Sequence, residues 1–360
     1  MNLLFYVPQM AAYGGIERHV CSLAAAAAAR GHAVRLLTTS NSLGPDLRRE
    51  LQHPLITFRE LDRPRGLAGP VAKIIWLLNE VRRSRRQHWD VIYTNGQSGL
   101  AWLPWSAARS GTRVVHHHHN AADADEQTTW SRAYRHVLRR APRLVGCSRA
   151  TCAALNAATG RTDAHFLPYL AACPVASDQV NGRAPVRPLR FGFCGRLIPE
   201  KGIDTIFALA RENSLEDIEW HLHGAGEAYP PARFSNRPRL VYHGAYHSAA
   251  EHAAALLALD AVVLFSTHNE GMPLSLIEGM SAGLPWIATD RGGTRELATS
   301  PADSLVAPAD AGPDELSGDV RRLADRILAG QTSRQRQRAS YDERFAPPVV
   351  ARRWLDYFSA

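Results

Sequence analysis

One pattern occurs twice along this chain of 360 residues: an apolar strand, a glycine-containing loop, and then a helix. In the first half, the apolar segment 3–7 is followed by Gly14 and Gly15 and by an alanine-rich helical segment. In the second half, strand 189–193 leads into a loop over 195–202 and another helix. Repeated units of this kind are typical of a parallel sheet covered by helices on its faces.

The segment 172–188 separates the two halves, because its prolines and glycine interrupt any regular period. The sequence therefore predicts an α/β protein with two Rossmann-like, doubly wound parallel-sheet domains that face each other across a cleft. Further strands are expected at 33–38, 91–93, 113–115, 143–146, 220–223, 240–242 and 261–265. The predicted boundaries are 1–175 for the first domain, 176–188 for a linker, 189–345 for the second domain, and 346–360 for a C-terminal helix that packs back on the first domain.

Composition and cysteine usage indicate a globular chain in a reducing compartment. No stretch approaches the roughly 20 apolar residues that a membrane-spanning helix needs. The first residues lack the basic region and the long apolar core of a signal peptide, so a cytoplasmic location is expected. The five cysteines form no C-x-x-C pair, which argues against both a disulfide framework and a zinc knuckle.

Positive charge is concentrated in the first half of the chain. Residues 1–180 contain 22 Lys and Arg against 12 Asp and Glu, whereas residues 181–360 contain 20 against 22. Four arginines, at 82, 83, 85 and 86, follow the apolar segment 74–78. One interpretation is a helix that docks on an anionic membrane surface, and the alternative is a core-facing helix with a solvated arginine end. Nucleic acid is not an expected partner, because no recognised binding motif accompanies the charge.

The most informative string lies between a predicted strand and a helix that is expected to begin near Pro273. Glu270 falls in the loop, and Glu278 lies about one turn inside the helix. The backbone N–H groups between them would form an anion site flanked by two carboxylates. A sugar nucleotide has hydroxyls on both sides of its phosphates and fits this arrangement. The residues of the anion site are Gly271, Met272, Pro273, Leu274 and Ser275.

A second constellation occupies the loop over 195–202. Arg196 can bind a phosphate with two parallel hydrogen bonds, and Lys201 can supply a compact charge. The chain contains two lysines, Lys73 and Lys201, and otherwise uses arginine. A lysine in this glycine-bounded loop therefore indicates a functional role.

Taken together, these strings resemble the retaining family 4 glycosyltransferases of GT-B fold, and among them the bacterial enzymes of polysaccharide and lipopolysaccharide synthesis. The resemblance covers nearly the whole chain. It rests on G-G-I-E from Gly14, G-R-L-x-x-x-K-G over 195–202, E-x7-E from Glu270 with its A-G-L-P continuation, and the pair Gly292-Gly293 followed by Glu296.

The resemblance implies transfer of a sugar from a nucleotide-sugar donor to a glycan or lipid-linked glycan acceptor, with retention of anomeric configuration. Arg196 and Lys201 would bind the donor diphosphate, Glu278 the ribose and Glu270 the donor sugar. The first domain would bind the acceptor, with Gly14 and Gly15 approaching the diphosphate, and the second would bind the nucleotide sugar. The backbone around His243 and Gly244 would contact the base; UDP-sugar is the favoured donor and GDP-mannose the next.

Four consecutive histidines, His116 to His119, end a predicted strand of the first domain. Alternation places His117 and His119 on one face and the other two on the opposite face. By the resemblance, His119, with His117 second, would reach the donor sugar or its phosphate. Asp123 and Asp125 form a D-x-D pattern nearby, but no cofactor or metal is expected, because GT-B enzymes need none.

One departure from the family lies at 166–170, Phe-Leu-Pro-Tyr-Leu, where members often have an N-G-[VI]-D turn. The acceptor-binding region is therefore the part of the chain for which the family resemblance says least about the roles of individual residues. His221 and His223, on a strand before a glycine-containing loop, are interpreted as core or rim residues.

Two alternatives stay open at this stage. A sugar-nucleotide epimerase of GT-B-like fold would share the diphosphate site and would change free donor without an acceptor. A non-catalytic nucleotide- or glycan-binding subunit would usually lack the Lys or Glu of the motifs, and Lys201, Glu270 and Glu278 are all present.

Overall fold

The computed structural model describes residues 1–10, 14–39, 43–61, 69–171, 173–180 and 184–360. The chain divides into two compact units. The first unit contains residues 1–171 together with 347–360, and the second contains residues 172–346. Part of the predicted linker, Gly182 included, falls outside the described residues.

The first unit is built around a parallel sheet. Its strands are β1 Asn2–Val7, β2 Ala33–Thr38, β3 Ile56–Glu60, β4 Val91–Asn95, β5 Arg113–His118, β6 Arg143–Gly146 and β7 His165–Phe166. Among the described residues they lie in the order β3-β2-β1-β4-β5-β6-β7, and every pair is parallel. The order reverses between β1 and β4, the kind of position where ligands bind in such sheets. The helices of this part of the chain are α1 Gly15–Ala29, α2 Pro45–Glu50, α3 Gly69–Ser84, α4 Ala124–Thr129, α5 Arg132–Arg140 and α6 Arg149–Thr159.

The second unit contains another parallel sheet. Its strands are β8 Leu189–Cys194, β9 Ile218–His223, β10 Leu240–Gly244, β11 Ala261–Leu264, β12 Trp286–Thr289 and β13 Ser304–Ala307. Within the described part of this unit the strand order is β10-β9-β8-β11-β12-β13. The helices are α7 Ile203–Leu209, α8 Ala249–Leu257, α9 Leu274–Ser281, α10 Pro313–Leu328 and α11 Arg334–Arg344.

The final helix, α12 Pro347–Ser359, belongs to the first unit. Trp354 is fully buried against the residues of β1 and β4, and its indole N–H donates to the carbonyl of Pro168 over 2.9 Å. Its ring lies 5.7 Å from that of Tyr93 and 4.9 Å from that of His117. The last helix therefore completes the core of the unit that the first 171 residues begin.

Two doubly wound parallel sheets are as the sequence predicts, and the fold class is confirmed. Four strands escaped prediction: β3, β7, β12 and β13. The helix expected to begin near Pro273 is α9, in which Pro273 is the N-terminal capping residue with extended backbone and Leu274 is the first helical residue.

Gly202, between β8 and α7, fixes how closely the loops after β8 and β11 approach each other. Its backbone is left-handed, with φ of +72°. A Cβ atom at this position would lie 2.0 Å from the carbonyl oxygen of Phe265, far inside van der Waals contact. Glycine is therefore required here for two separate reasons: the backbone angle and the missing side chain.

We expect Gly202→Ala to destabilise the second unit more than Gly330→Ala. Gly330 has a similar φ of +66° with no atom within 4 Å of its virtual Cβ, so alanine there meets only the backbone strain of about 1–2 kcal/mol. Gly202→Ala adds a steric cost of about 1–3 kcal/mol. Urea unfolding of both variants measures the difference, and equal losses would show that the contact with Phe265 does not constrain the loop.

Candidate functional site

The candidate site lies where strands β8, β9, β11 and β12 of the second unit end. The backbone N–H of Leu197 donates to the carbonyl of Ala225 over 3.0 Å, which joins the loops after β8 and β9. Thr267 N–H donates to the carbonyl of Glu200 over 2.9 Å, which joins the loops after β8 and β11. The carboxyl ends of these strands therefore place the two predicted motifs side by side, as is usual for ligand sites in parallel sheets.

The loop after β12 holds the backbone of Glu270. Gly292 has φ of +57°, and a Cβ there would lie 2.0 Å from the Glu270 carbonyl oxygen. The next residue, Gly293, donates its N–H to that same oxygen over 2.9 Å. The pair Gly292-Gly293 thus acts as a backbone support for Glu270.

The side chain of Glu270 forms an ion pair with Lys201. The Lys201 Nζ lies 2.6 Å from Oε1 and 2.8 Å from Oε2 of the carboxylate. Glu270 is 6% exposed, and the hydroxyl of the buried Ser266 also donates to its Oε1. A buried carboxylate is stable only when it is paired and hydrogen-bonded, so Lys201 and Ser266 together fix where it points.

Arg196, in the same loop as Lys201, is exposed. Its guanidinium is therefore accessible to an anion at the end of the sheet. The two predicted cations differ in environment, since one is solvated and the other is partly buried in an ion pair.

Glu278 lies one turn inside α9 and is partly buried. Its Oε2 is 3.7 Å from Nε2 of His252. It is also close enough to the end of β8 to raise the pKa of the Cys194 thiol, although burial is the larger cause of that rise. Along the chain, the two glutamates of the E-x7-E motif thus flank the first turn of α9, one in the preceding loop and one inside the helix.

The start of α9 supplies backbone donors between those carboxylates. The first N–H groups of a helix have no intrahelical partner and point toward the space before the helix. The predicted set of donors over 271–275 needs one correction, because Pro273 has no N–H. Four donors remain, at Gly271, Met272, Leu274 and Ser275.

The four histidines of the first unit are all buried, at 0% exposure for His116, His117 and His118 and 5% for His119. His117 and His119 share one face, with ring centroids 4.0 Å apart. His118 faces the opposite way, where its Nδ1 is 2.7 Å from the hydroxyl of Tyr134. Burial lowers the pKa of His117 and His119 well below the usual value, so both rings are neutral.

His119 stands out within this group. Within the described residues, neither of its ring nitrogens has a hydrogen-bond partner, although both are buried. Tyr169 stacks on its ring at 5.5 Å, and the Tyr169 hydroxyl donates to the His119 carbonyl. Buried polar nitrogens without partners point to a ligand or a water at that place.

The segment 166–170, which departs from the family pattern, has a structural role. Leu170 N–H donates to Nδ1 of the buried His19 over 2.9 Å, and Pro168 accepts from Trp354. The segment thus connects α1, the histidine face and the last helix.

Asp123 and Asp125 are parts of a helix start. Asp123 caps α4 by accepting the N–H of Glu126 over 2.8 Å, and Asp125 is exposed in the first turn. Gly14 caps α1 with extended backbone and Gly15 is the first residue of that helix, while residues 11–13 of the preceding loop lie outside the described residues.

His243 and Gly244 end β10. Gly244 accepts a hydrogen bond from Gly224 N–H over 2.7 Å, which ties this strand end to the loop after β9. His243 stacks with His221 and His223. Burial, followed by the neighbouring histidines, lowers the pKa of His223 to about 4. The sequence does not predict this cluster, because His221 and His223 are interpreted from the sequence as core or rim residues and His243 lies on another strand.

Two family models match the chain. The description "Glycosyl transferase 4-like domain" applies to residues 14–169, and "Glycosyl transferases group 1" to residues 188–326. A GDP-mannose-dependent alpha-mannosyltransferase of Mycobacterium tuberculosis is 31% identical over 187 residues, which are 49% of this chain and 46% of that protein. The match thus spans about half the length of that curated relative.

Solved structures of similar fold cover the whole chain. The crystal structure of Anabaena HepE in complex with UDP has a TM-score of 0.75 at 18% identity and covers 100% of both chains. The lipopolysaccharide outer core galactosyltransferase WaaB has a TM-score of 0.73 at 16% identity, covering 100% of this chain and 99% of its own. At these identities the likeness concerns the fold. With both halves matched by glycosyltransferase models and the two parallel sheets found in these structures, the chain belongs to the family 4-type glycosyltransferases of GT-B fold.

Proposed function

We propose that this chain moves a sugar from a nucleoside diphosphate sugar to a glycan or lipid-linked glycan, with retention of anomeric configuration. Its role would be in the synthesis of cell-surface polysaccharide or lipopolysaccharide. The observation that carries the proposal is the Lys201–Glu270 ion pair beside the donors at the start of α9. A cation, a row of N–H groups and fixed carboxylates are what a sugar diphosphate requires.

The chemistry follows from where charge develops. Cleavage of the anomeric bond leaves negative charge on the diphosphate and positive character on the sugar. Lys201, Arg196 and the N–H groups at the start of α9 would stabilise the departing diphosphate. Because these groups are in place before reaction, they lower the barrier without reorganisation at that moment. No metal ion is required in this proposal.

Glu270 would hold sugar hydroxyls rather than attack the anomeric carbon. Its charge is balanced by Lys201 and it accepts from Ser266, which makes its oxygens weak nucleophiles. Retention would then come from attack on the face that the diphosphate leaves, with the diphosphate oxygen taking the acceptor's proton. Glu278 would accept the ribose hydroxyls. From the first unit, His119 remains the proposed sugar ligand, with His117 second.

For the donor, two carriers are supported by different observations. The curated relatives at 31% identity are named for GDP-mannose, whereas several structures of similar fold contain UDP. The relatives named for GDP-mannose are more similar to this chain in sequence, at 31% identity against 18% for the structures that contain UDP. We therefore place GDP-mannose first and UDP-sugars second, which reverses the order expected from the sequence.

The transfer step is tested by Lys201→Ala and Glu270→Ala. Each should reduce the transfer rate by about 100- to 1,000-fold, the usual loss when one fixed group at the developing charge is removed. Lys73→Ala, at the chain's other lysine, should stay within about twofold of the original rate when the acceptor is water-soluble and no membrane is present. Assays in EDTA should proceed, and loss of transfer that manganese restores would contradict a metal-free step.

Unfolding measurements keep this test separate from loss of structure, because breaking a buried pair costs about 3–5 kcal/mol by itself. The double variant Lys201→Met/Glu270→Leu removes both charges and should recover stability without recovering transfer. Full activity in Lys201→Ala, in Glu270→Ala or in the double variant would refute the site. Conversion of free donor without acceptor, followed by NMR, would instead identify an epimerase.

Donor identity is tested by thermal unfolding with a panel of nucleotide sugars. A ligand at about 100 times its Kd adds about 2.7 kcal/mol to stability, so the correct carrier should raise Tm most. We expect GDP-mannose and GDP to exceed UDP-sugars and UDP, with the shift reduced in Lys201→Ala. A panel in which no nucleotide raises Tm would contradict a donor site in this unit.

We further propose that α3 binds an anionic membrane surface, where a lipid-linked acceptor would be found. In the described residues, no helix has the length and apolarity to cross a membrane. On α3, however, Val71, Ile74, Ile75 and Leu78 are 59%, 39%, 54% and 47% exposed at helical spacing. The exposed Arg82 continues that stripe. The core-facing interpretation holds for the buried side of the helix, and the exposed stripe fits peripheral binding.

Vesicle sedimentation tests this surface. Ile75→Glu/Leu78→Glu should weaken binding to vesicles with anionic lipid by at least about 10-fold, because two large apolar side chains no longer enter the bilayer. Arg82→Gln and Arg86→Gln should each reduce the free energy of vesicle binding by about 1 kcal/mol and make that binding less dependent on salt concentration. Val186→Glu is the control, because it changes an apolar residue of the second unit that is even more exposed than Ile75 and Leu78. Unchanged binding of the α3 variants would contradict the proposal.

A further inference from the structure

Three histidines of the second unit meet at the edge of its sheet. His221 and His223 lie two residues apart on β9 and so on the same face, and His243 lies on the edge strand β10. The ring of His243 is 4.0 Å from that of His223 and 5.1 Å from that of His221. Among the His, Cys, Asp and Glu of the described residues, these three histidines form a group that could hold a metal ion. One ligand atom from each lies within 4.8 Å of those of the other two.

A β-bulge brings the third histidine into the group. Pairing of the two strands runs in register from Leu240 to Tyr242, and then Gly244 rather than His243 stands opposite His223. His243 is therefore the extra residue of the bulge. Bulges redirect a side chain and are frequent beside functional sites. With regular pairing, His243 itself would stand opposite His223; the bulge instead leaves His243 unpaired in the ladder.

A carboxylate orients one of the rings. Nε2 of His221 lies 3.4 Å from Oε2 of Glu219, while its Nδ1 lies 2.9 Å from Nε2 of His243. With Nε2–H directed at the carboxylate, Nδ1 carries the lone pair that faces the other histidines. Histidines that bind metal almost always donate their second N–H to a carboxylate, carbonyl or water in this way.

We propose that His221, His223 and His243 bind a divalent transition-metal ion of the zinc class. Neutral imidazole nitrogens suit zinc, copper and nickel, whereas magnesium and calcium prefer oxygen ligands. His243 and His223 are nearly parallel, at 4°, so coordination requires one ring to rotate. His243 is exposed and can turn, while His221 stays oriented by Glu219. Three protein ligands leave a fourth position for water.

The ion would join the edge strand β10 to β9 through side chains, beside the loop 224–226. The proposal rests on the arrangement of the three rings and of Glu219, and it does not require the proposed donor-site function. Its direct consequence is that zinc stabilises the second unit, because a ligand that binds only the folded state raises its stability.

The test is calorimetric titration of zinc into metal-stripped, full-length protein that carries no polyhistidine tag. We expect one equivalent to bind and Tm to rise. His243→Ala and His221→Ala should each lose more affinity than the about 10- to 100-fold that an outer partner is worth. Glu219→Gln should fall within that 10- to 100-fold range, because it keeps the three ligands but weakens the orientation of His221.

His136→Ala, at an exposed histidine of the first unit, is the control and should bind zinc as the original chain does. Cobalt substitution adds a spectroscopic check, because tetrahedral cobalt absorbs strongly in the visible range and His243→Ala should lose that band. Two results would overturn the proposal. One is an original chain that binds no zinc, which would leave the rings as a stacked structural cluster. The other is undiminished binding in His243→Ala, which would place the ion elsewhere.

Discussion

The position of Glu270 depends on backbone packing at two glycines. Gly292 leaves room for the Glu270 carbonyl on one side, and Gly202 leaves room for the Phe265 carbonyl at the start of the same loop. The loop is therefore held at both ends by peptide groups that touch without side chains between them. Interiors packed in this way move little. The carboxylate that Lys201 and Ser266 orient is consequently attached to a rigid base.

The ion pair changes how the two motifs are understood. Taken separately, Lys201 is the proposed phosphate ligand and Glu270 the proposed sugar ligand. In the structure each is the partner of the other, so the two side chains fix each other's orientation. The other charged residues of the proposed donor site are Arg196, which is exposed, and Glu278, which lies beside His252.

Much of this arrangement was predictable, since parallel-sheet units have a strong apolar period and glycine loops mark the strand ends. Other elements were not. β7 contains two residues, too few for a periodic signal, and β12 has four residues that are all buried, so it shows no alternation of apolar and polar positions. The histidine cluster required knowledge of strand pairing, because His243 is 20 residues from His223 and reaches it through a bulge. The pairing of Lys201 with Glu270 likewise joins positions 69 residues apart.

The return of α12 to the first unit also affects how the protein is made. Trp354 and Phe358 cover Tyr93 and the histidine face, yet they are synthesised after the 175 residues from 172 to 346. At about 5–20 residues per second, roughly 10 to 35 s pass between the last strand of the first sheet and its covering helix. During that interval the nascent first unit exposes an aromatic surface. That surface stays uncovered until α12 has been synthesised.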